Sequence, residues 1–222
     1  MSGSFPRADV HAALLGGLSD LPAADVPVDA LVDYLALLHR WNQVFNLSAV
    51  RDPLAMVTRH VLDSLAALSH VAGPRLLDVG SGAGLPGIPL ALCRRDLDVT
   101  LLDSNGKKTR FLRQVVAELQ LSHVVVVQER VERWRGSPAF DTIIARAYSR
   151  VDRFVLDAGR LVADGGQLLA MKGRFDAPAE TAALPGGWRY RADALAVPGL
   201  DAERCLVRIR RAVDVTTGGT HG

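Results

Sequence analysis

The spacing of hydrophobic residues changes near residue 73 and divides the chain into two parts. Between residues 28 and 45 the apolar positions recur every three or four residues, which predicts an amphipathic helix with Pro27 in its first turn. A second helix is predicted from Asp52, a favourable N-cap residue, to about Ser69. Two helices are therefore expected before the first strand. The apolar face of the first helix comprises Val28, Leu31, Leu35, Leu38, Trp41 and Phe45.

After residue 73, short apolar runs alternate with amphipathic helical patterns. Strands that are apolar on both faces and alternate with helices predict a mainly parallel sheet covered on both sides, the doubly wound α/β class. Two later segments, 188–197 and 204–211, alternate polar with apolar residues and predict an antiparallel pair at the end of the sheet. The parallel strands are predicted at 76–79, 99–102, 124–127, 142–145 and 167–171, and the helices at 86–95, 107–121 and 151–162.

Length and composition indicate an ordinary globular protein. With 222 residues, 49% of them hydrophobic, the chain is long enough to bury one full core, and we predict a helical extension (1–72), a main domain (73–213) and a disordered tail (214–222). No apolar run approaches the roughly 18 residues of a membrane span, so a cytoplasmic location is expected. Cys93 and Cys205 lie far apart, which predicts neither a zinc site nor a disulfide framework, and no metal is expected.

A glycine turn follows the first strand and carries the most informative chemistry of the sequence. Residues 77–87 read Leu-Asp-Val-Gly-Ser-Gly-Ala-Gly-Leu-Pro-Gly, in which glycines permit a sharp turn and close approach of a ligand. The spacing of Gly82, Gly84 and Gly87 also fits a dinucleotide-binding turn, and Asp103 lies 21 residues after Gly82, where a ribose-binding acid is expected. A nicotinamide dinucleotide, S-adenosylmethionine and a purely structural turn remain open at this point.

Two features favour S-adenosylmethionine. Pro86 and Pro89 remove two N–H donors from the helix start at which a pyrophosphate would bind. Asp78 is expected to place a carboxylate near the amino-acid end of the cofactor, where an ammonium is acceptable and a phosphate is not.

The ends of the second and third strands supply the rest of the predicted cofactor site. Asp103 lies at the carboxyl edge of the sheet, where its carboxylate can accept hydrogen bonds from both ribose hydroxyls, although it is also a possible N-cap for the helix after Asn105. Val131 is predicted to pack on the adenine ring and Glu132 to close that pocket; the alternative is an exposed helix start.

Charge is unevenly distributed along the chain. The net charge is +2, but residues 1–58 contain three arginines against six aspartates, a net charge of −3, so the remainder carries +5. This asymmetry is compatible with a polyanionic substrate on the larger part. The basic run 107–113 is either a solvated helix face or a contact for a phosphate backbone.

Short blocks of residues are spread over the chain from about residue 30 to residue 211: Trp41-Asn42, residues 45–48, 51–53, 59–64, 78–87, 101–104, 107–112 and 130–132, Ala145-Arg146-Ala147 and Lys172-Gly173. Their order and spacing resemble those of the RsmG family of ribosomal RNA methyltransferases. The resemblance implies a class I S-adenosylmethionine-dependent methyltransferase fold, Rossmann-like with seven strands, preceded by a short helical extension. It also implies cofactor contacts by Gly80, Leu85, Val131, Glu132 and Arg146, with Asp103 at the ribose and Gly82 in the turn.

The same resemblance implies a substrate, which is one guanine N7 in 16S ribosomal RNA of the small subunit. A monomer acting in the cytoplasm is expected. The chain departs from the family pattern at Ala83, where proline is frequent, and at Tyr148, where phenylalanine is frequent. An NAD-dependent oxidoreductase and a non-catalytic cofactor-binding regulator are the alternatives from other classes.

Methylation of guanine N7 uses a lone pair that needs no deprotonation, so positioning is expected to do most of the work. Arg146 and Lys172, at the ends of the fourth and fifth strands, are the candidates for holding the guanine. The alternative for each is a solvent-exposed side chain at a strand end with no role in binding. Arg59 and His60 are candidates for contacts with RNA phosphate. The alternative for His60 is a structural role as a hydrogen-bonded residue.

Overall fold

The seven strands of the described chain form one sheet in the order β3-β2-β1-β4-β5-β7-β6. In this computed structural model, which describes residues 5–21, 26–136 and 139–212, β1 to β5 are parallel, and β7 runs antiparallel to both β5 and β6. The predicted parallel sheet with a terminal antiparallel pair is confirmed; the predicted tail, 214–222, lies outside the described residues. The strands are β1 Arg75–Val79, β2 Asp98–Leu102, β3 Val124–Val127, β4 Phe140–Arg146, β5 Val162–Lys172, β6 Trp188–Ala194 and β7 Cys205–Arg211.

Helices cover both faces of the sheet. Successive residues of a strand point to opposite faces, so Leu76 joins the hydrophobic cluster beneath the N-terminal helices while Leu77 joins the cluster around Phe154. The helices are α1 Arg7–Leu18, α2 Val28–Phe45, α3 Pro53–Met56, α4 Asp63–Leu65, α5 Gly87–Cys93, α6 Gly106–Glu118, α7 Val151–Ala158 and α8 Ala177–Thr181.

The N-terminal helices share a core with the sheet. One cluster of buried residues contains Leu14 of α1, Leu35 of α2 and Ile144 of β4. Helix α1 is a correction to the expectation of two helices before the first strand. Its buried residues Val10, Leu14 and Leu18 form a narrow stripe at every fourth position, which is too short a pattern to predict a helix. The division of the chain at residue 72 stays a prediction.

The helix predicted from Asp52 contains a widened turn. Asp52 caps it as expected, because its Oδ2 accepts a hydrogen bond from the Ala55 N–H at 2.7 Å. Between α3 and α4, residues Val57–Leu62 form a π-helix, and a 3₁₀ turn follows at Leu68–His70. Such π-helical turns are frequent at functional sites, and this one lies beside the second cavity described below. No helix of the described ranges is long and apolar enough to cross a membrane.

Candidate active site

The glycine turn after β1 needs its glycines for two different reasons. Gly80, Gly82 and Gly84 have φ values of 71°, 59° and 89°, which side-chain-bearing residues rarely adopt. A Cβ at Gly84 would lie 2.5 Å from Ile88 Cγ1, and one at Gly87 would lie 2.3 Å from Leu101 Cδ2, so both permit close packing of α5. A Cβ at Gly80 would meet nothing within 4 Å, because Gly80 faces open space.

The start of α5 has no free N–H group for a pyrophosphate. The Gly87 N–H donates to Asp78 Oδ2 at 2.9 Å, the Ile88 N–H donates to the Gly84 carbonyl at 2.7 Å, and Pro89 has no N–H. All of these residues lie within the described range 26–136. The anion site on which a dinucleotide-binding turn depends is therefore missing, which supports the interpretation made from the prolines.

The Asp78 side chain has a different place from the one predicted. Its carboxyl is fully buried beneath the turn, with Oδ2 accepting from Gly87 and Oδ1 without a hydrogen-bond partner among the described residues. Burial raises the pKa of Asp78 to about 7, against the lowering effect of the Gly87 N–H. Asp78 thus joins β1 to the start of α5, and the expectation that it faces the amino-acid end of a cofactor is wrong for this conformation.

This buried carboxyl makes stability depend on pH. In the unfolded chain an aspartate titrates near pH 4, so the fold favours the protonated form, and the unfolding free energy falls as pH rises from about 4 to about 7. Asp78→Asn cannot ionise and lacks this decline. Urea unfolding at pH 5 and pH 8 measures the unfolding free energy of both proteins. We expect the difference, variant minus wild type, to be more positive at pH 8 than at pH 5 by a few kcal/mol. An identical difference at both pH values would contradict a buried, titrating Asp78.

Helix α2 holds the glycine turn from the other side. The Tyr34 hydroxyl is completely buried and donates a 2.7 Å hydrogen bond to the carbonyl of Ala83, in the middle of the turn. Burial raises the pKa of Tyr34 above its ordinary range, so the hydroxyl keeps its proton and remains a donor. The N-terminal extension therefore contacts the turn through a polar group as well as through packing.

A cleft of about 290 Å³ opens beyond the glycine turn; we call it the Asp103 cleft. Four of the predicted cofactor residues meet in it, although they come from the ends of three different strands. Apolar Val131 and the acids Asp103 and Glu132 give it a mixed lining. The cleft is lined by Val79, Gly80, Leu102, Asp103, Ser104, Lys108, Glu129, Arg130, Val131, Glu132 and Tyr148.

Asp103 has capacity for further hydrogen bonds. Its Oδ2 accepts from the Gly82 N–H at 2.9 Å and its Oδ1 accepts from the Asn105 N–H at 2.8 Å. Each carboxylate oxygen can accept about two bonds, so one position on each oxygen is left for a ligand with paired hydroxyls. The Lys108 ammonium lies 3.8 Å from Oδ2, beyond hydrogen-bond distance. The alternative role as helix cap is excluded, because the N-cap of α6 is Asn105, whose side chain accepts from Lys107 N at 2.9 Å.

A second cavity, of about 520 Å³, lies on the other side of the β4 end; we call it the Arg146 cavity. Residues 146 and 147 line this cavity and Tyr148 lines the Asp103 cleft, so one short segment separates the two spaces. Ala147 has a φ of 61°, an uncommon conformation for a non-glycine residue that turns the chain at this wall. The lining of the Arg146 cavity includes Ser48, Arg59, His60, Asp63, Arg146, Met171, Lys172, Leu200 and Arg204.

Asp63 organises the cations of the Arg146 cavity. Its Oδ2 accepts from Arg146 Nη1 at 3.2 Å and its Oδ1 accepts from Arg204 Nε at 2.8 Å. Arg146 also donates to the Arg59 carbonyl at 3.1 Å. The Asp63 side chain is 5% exposed, whereas those of Arg146 and Arg204 are 24% and 26% exposed. One buried carboxylate thus holds two partly accessible guanidinium groups, and sequence reasoning missed both Asp63 and Arg204.

Lys172 lies at the same cavity but its ammonium is already engaged. Nζ donates to the Tyr148 carbonyl at 2.6 Å and the Ser149 carbonyl at 3.2 Å, and lies 2.6 Å from Glu180 Oε2. Two of the three ammonium donors are used by carbonyls, and the charge is paired with the Glu180 carboxylate. Lys172 therefore fixes the segment after Ala147, and its predicted contact with a guanine remains a prediction.

His60 is held as a neutral hydrogen-bonded residue. It is 5% exposed, its Nδ1 lies 2.9 Å from the Arg59 carbonyl, and its Nε2 lies 2.7 Å from Ser48 Oγ. The carbonyl requires a donor, so Nδ1 carries the proton and Nε2 accepts from the serine hydroxyl. Burial lowers the pKa of His60 to about 4. His60 therefore has the structural role that was the alternative to an RNA contact. Arg59 is exposed beside the cavity.

The predicted cofactor residues divide into three places. Gly80, Asp103, Val131 and Glu132 line the Asp103 cleft, and the Gly82 N–H donates a hydrogen bond to Asp103. The Leu85 side chain is 3% exposed and belongs to the core beneath the N-terminal helices. Arg146 lines the other cavity. Ligand contacts by all of these residues remain predictions.

A family model described as GidB, rRNA small subunit methyltransferase G, matches residues 28–203. The chain belongs to this family. It is 48% identical to ribosomal RNA small subunit methyltransferase G of Xanthomonas oryzae pv. oryzae (strain MAFF 311018) over 92% of this chain and 96% of that protein. Its identity to the protein of the same name from Chromohalobacter salexigens is 51%, over 91% of this chain and 98% of the relative. The resemblance to the RsmG family inferred from the short blocks is confirmed.

Solved structures confirm the class I methyltransferase fold of this RsmG family member. A crystal structure of MtNAS in complex with MTA and tNA superposes with a TM-score of 0.58, covering 93% of this chain and 87% of that one at 15% identity. The glycopeptide N-methyltransferase MtfA superposes with a TM-score of 0.55, covering 72% of this chain and 100% of that one at 15% identity. At such low identities the likeness concerns the fold alone.

Proposed function

We propose that this protein is an S-adenosylmethionine-dependent methyltransferase that modifies N7 of one guanine in 16S ribosomal RNA of the small subunit. Membership in the RsmG family supports the reaction class. The structural observation that carries the proposal is the pair of cavities that meet at residues 146–148, one with unused acceptor positions on Asp103 and one with two accessible guanidinium groups. A ribosomal substrate implies a protein of the cytoplasm.

The Asp103 cleft fits the nucleoside part of S-adenosylmethionine. The two free acceptor positions of Asp103 suit a ribose diol, Val131 offers an apolar surface for the adenine ring, and the missing side chain of Gly80 leaves room for the ligand. The bound cofactor would supply an electrophilic methyl group on a sulfonium. The occupied N–H groups at the start of α5 disfavour NAD, so the oxidoreductase alternative has no structural support.

The Arg146 cavity fits a purine that needs orientation and no proton removal. Guanine N7 attacks with its lone pair, so the protein's task is to hold the base in line with the methyl group at near-attack distance, which supplies roughly 7 to 11 kcal/mol of the barrier. Arg146 and Arg204 present guanidinium donors suited to O6 of guanine or to neighbouring phosphates, which leaves the N7 lone pair free to attack. His60, held neutral by burial, adds no charge.

Incubation with S-adenosylmethionine carrying a labelled methyl group tests the proposal. The acceptors are small subunits and 16S RNA from cells lacking the gene, and NAD binding is measured in parallel by calorimetry. We expect the label in RNA as N7-methylguanine at one position, by mass spectrometry, and no NAD binding. NAD binding without S-adenosylmethionine binding would overturn the cofactor assignment. Cofactor binding with no methyl group in RNA would leave the non-catalytic regulator as the better description.

Tyr34→Phe tests whether the N-terminal extension supports the cofactor turn. The change removes the donor to Ala83 and leaves a buried carbonyl unpaired, at a cost of about 1 to 3 kcal/mol. We expect the dissociation constant for S-adenosylmethionine to rise about fivefold or more while kcat at saturating cofactor stays near that of the wild type. Tyr190→Phe is the matched control, because that ring is 40% exposed on β6. Equal affinities in the two variants would show that the hydrogen bond does not support binding.

A further inference from the structure

The β6–β7 hairpin carries four arginines on one face. In its antiparallel register Arg189 lies opposite Arg210 and Arg191 lies opposite Arg208. Alternate residues of a strand share a face, so all four guanidinium groups belong to one side of the hairpin. We call these four residues the arginine face.

Few negative charges offset the arginine face. Asp193 is the one carboxylate that an ion pair joins to it within the described residues, at 2.7 Å from Arg191 Nε and 3.9 Å from Arg208 Nη2. The other contacts are to neutral groups. Arg210 donates to Gln167 Oε1 at 2.9 Å, and Arg208 Nη2 lies 2.7 Å from His70 Nδ1. Four cations thus share one acid.

The cross-strand arginine pairs are expected to destabilise the folded hairpin. Like charges directly opposite each other on neighbouring strands are destabilising, and here two arginine–arginine pairs are adjacent. Arg189 is exposed and has no hydrogen bond or ion pair with any residue in the described ranges, and the Arg191 side chain is 80% exposed. The outer half of the face, on β6, is therefore accessible to a ligand, with Arg191 held by Asp193 alone among the described residues, whereas the inner half on β7 is held by Gln167 and His70.

The arginine face continues from the Arg146 cavity. Arg204, which lines that cavity, precedes β7, and positions 204, 206, 208 and 210 alternate along one side of the chain. Leu206 of this series is fully buried in the core cluster that contains Ile144, so the guanidinium groups of Arg204 and Arg208 lie on either side of a buried position. Six residues of extended chain span about 20 Å, so cationic groups extend from the cavity over the length of several nucleotides.

We propose that the arginine face binds the phosphodiester backbone of the RNA strand that carries the methylated guanine; this inference rests on the proposed function. Guanidinium groups bind phosphate oxygens as two-pronged donors. Contacts of this kind position a strand without reading its sequence. The continuity with the cavity and the excess of positive charge favour an RNA backbone as the occupant.

The double variant Arg189→Gln/Arg191→Gln tests the inference, because it removes the accessible half of the face and spares the bonds to Gln167 and His70. It also breaks the exposed ion pair between Arg191 and Asp193, which keeps Arg208 as a partner at 3.9 Å. We expect the KM for small subunits, and the Kd for 16S RNA, to rise about tenfold. The slope of log Kd against log salt should fall by about 1 to 2. The kcat and the affinity for S-adenosylmethionine should not change. Because two like-charge pairs are relieved, the melting temperature should stay equal or rise, whereas loss of a structural role would lower it.

Arg94→Gln/Arg95→Gln is the matched control, because it removes the same charge between α5 and β2, away from both cavities. An active double variant with unchanged KM and salt slope would overturn the inference and leave the proposed function intact. A loss confined to assembled subunits, with normal binding of naked 16S RNA, would assign the face to a ribosomal protein and also overturn it. If the unaltered protein methylates neither substrate, the proposed function fails instead.

Discussion

Asp103→Ala is expected to raise the dissociation constant for S-adenosylmethionine by about 100-fold or more. The variant loses two charge-assisted hydrogen bonds to the ribose hydroxyls, each worth about 1.5 to 3 kcal/mol, and 1.4 kcal/mol corresponds to a factor of ten. It also frees the N–H groups of Gly82 and Asn105, which Asp103 now holds at 2.9 and 2.8 Å. Titration calorimetry measures the affinity directly.

Two companion variants make this result specific. Asp98→Ala makes the same change at the exposed start of the same strand and should bind the cofactor normally. Asp103→Asn keeps one side-chain acceptor and should fall between wild type and Asp103→Ala. If Asp103→Ala is folded and binds S-adenosylmethionine as tightly as the wild type does, Asp103 does not contact the ribose.

Arg146→Ala should lower the rate of RNA methylation by about 100-fold or more while changing cofactor affinity much less. Loss of one well-placed donor to a group that gains charge costs roughly 100-fold to 1,000-fold in kcat. The Arg146 side chain lines the cavity proposed for the guanine, and is absent from the lining of the Asp103 cleft. Single-turnover methylation and calorimetry measure the two effects separately.

The same change also leaves Asp63 with Arg204 as its one remaining guanidinium partner. A buried carboxylate that loses a partner destabilises the fold, so a lower rate has a second explanation. The double variant Arg146→Ala/Asp63→Asn removes the uncompensated charge. Recovery of the rate in the double variant would mean that Arg146 acts by balancing Asp63, whereas a persistent loss is the result expected for a guanidinium that contacts substrate. Arg94→Ala, which breaks an ion pair with Asp96 elsewhere, should have no effect on rate.

The sequence by itself determines the fold class and the position of the cofactor turn. Apolar strands such as 76–79 and 124–127 alternate with amphipathic helices, and this periodicity has one common solution, a parallel sheet covered on both faces. A glycine run directly after a strand and an acid at the end of the next strand must meet, since carboxyl ends of parallel strands share an edge. Gly82 and Asp103 meet in this way, at 2.9 Å.

The tertiary structure alone decides which charged groups form pairs. Asp63 is 83 residues from Arg146 and 141 residues from Arg204, and no local pattern links positions so far apart. The place of the Asp78 carboxyl also depends on tertiary contacts, because it accepts a hydrogen bond from the Gly87 N–H under the start of α5 instead of facing the cleft.

Tertiary contacts also determine that the Lys172 ammonium is engaged and that the arginines of the β6–β7 hairpin lie side by side. Periodicity places Lys172 at the correct edge of the sheet, but the carbonyls of residues 148 and 149 and the carboxylate of Glu180 determine that its ammonium is occupied. The cross-strand register, which pairs Arg189 with Arg210, likewise follows from how the two strands of the hairpin align. Hydrophobic spacing determines which face of an element is buried, whereas the partners of a polar side chain depend on elements that are distant in sequence and close in space.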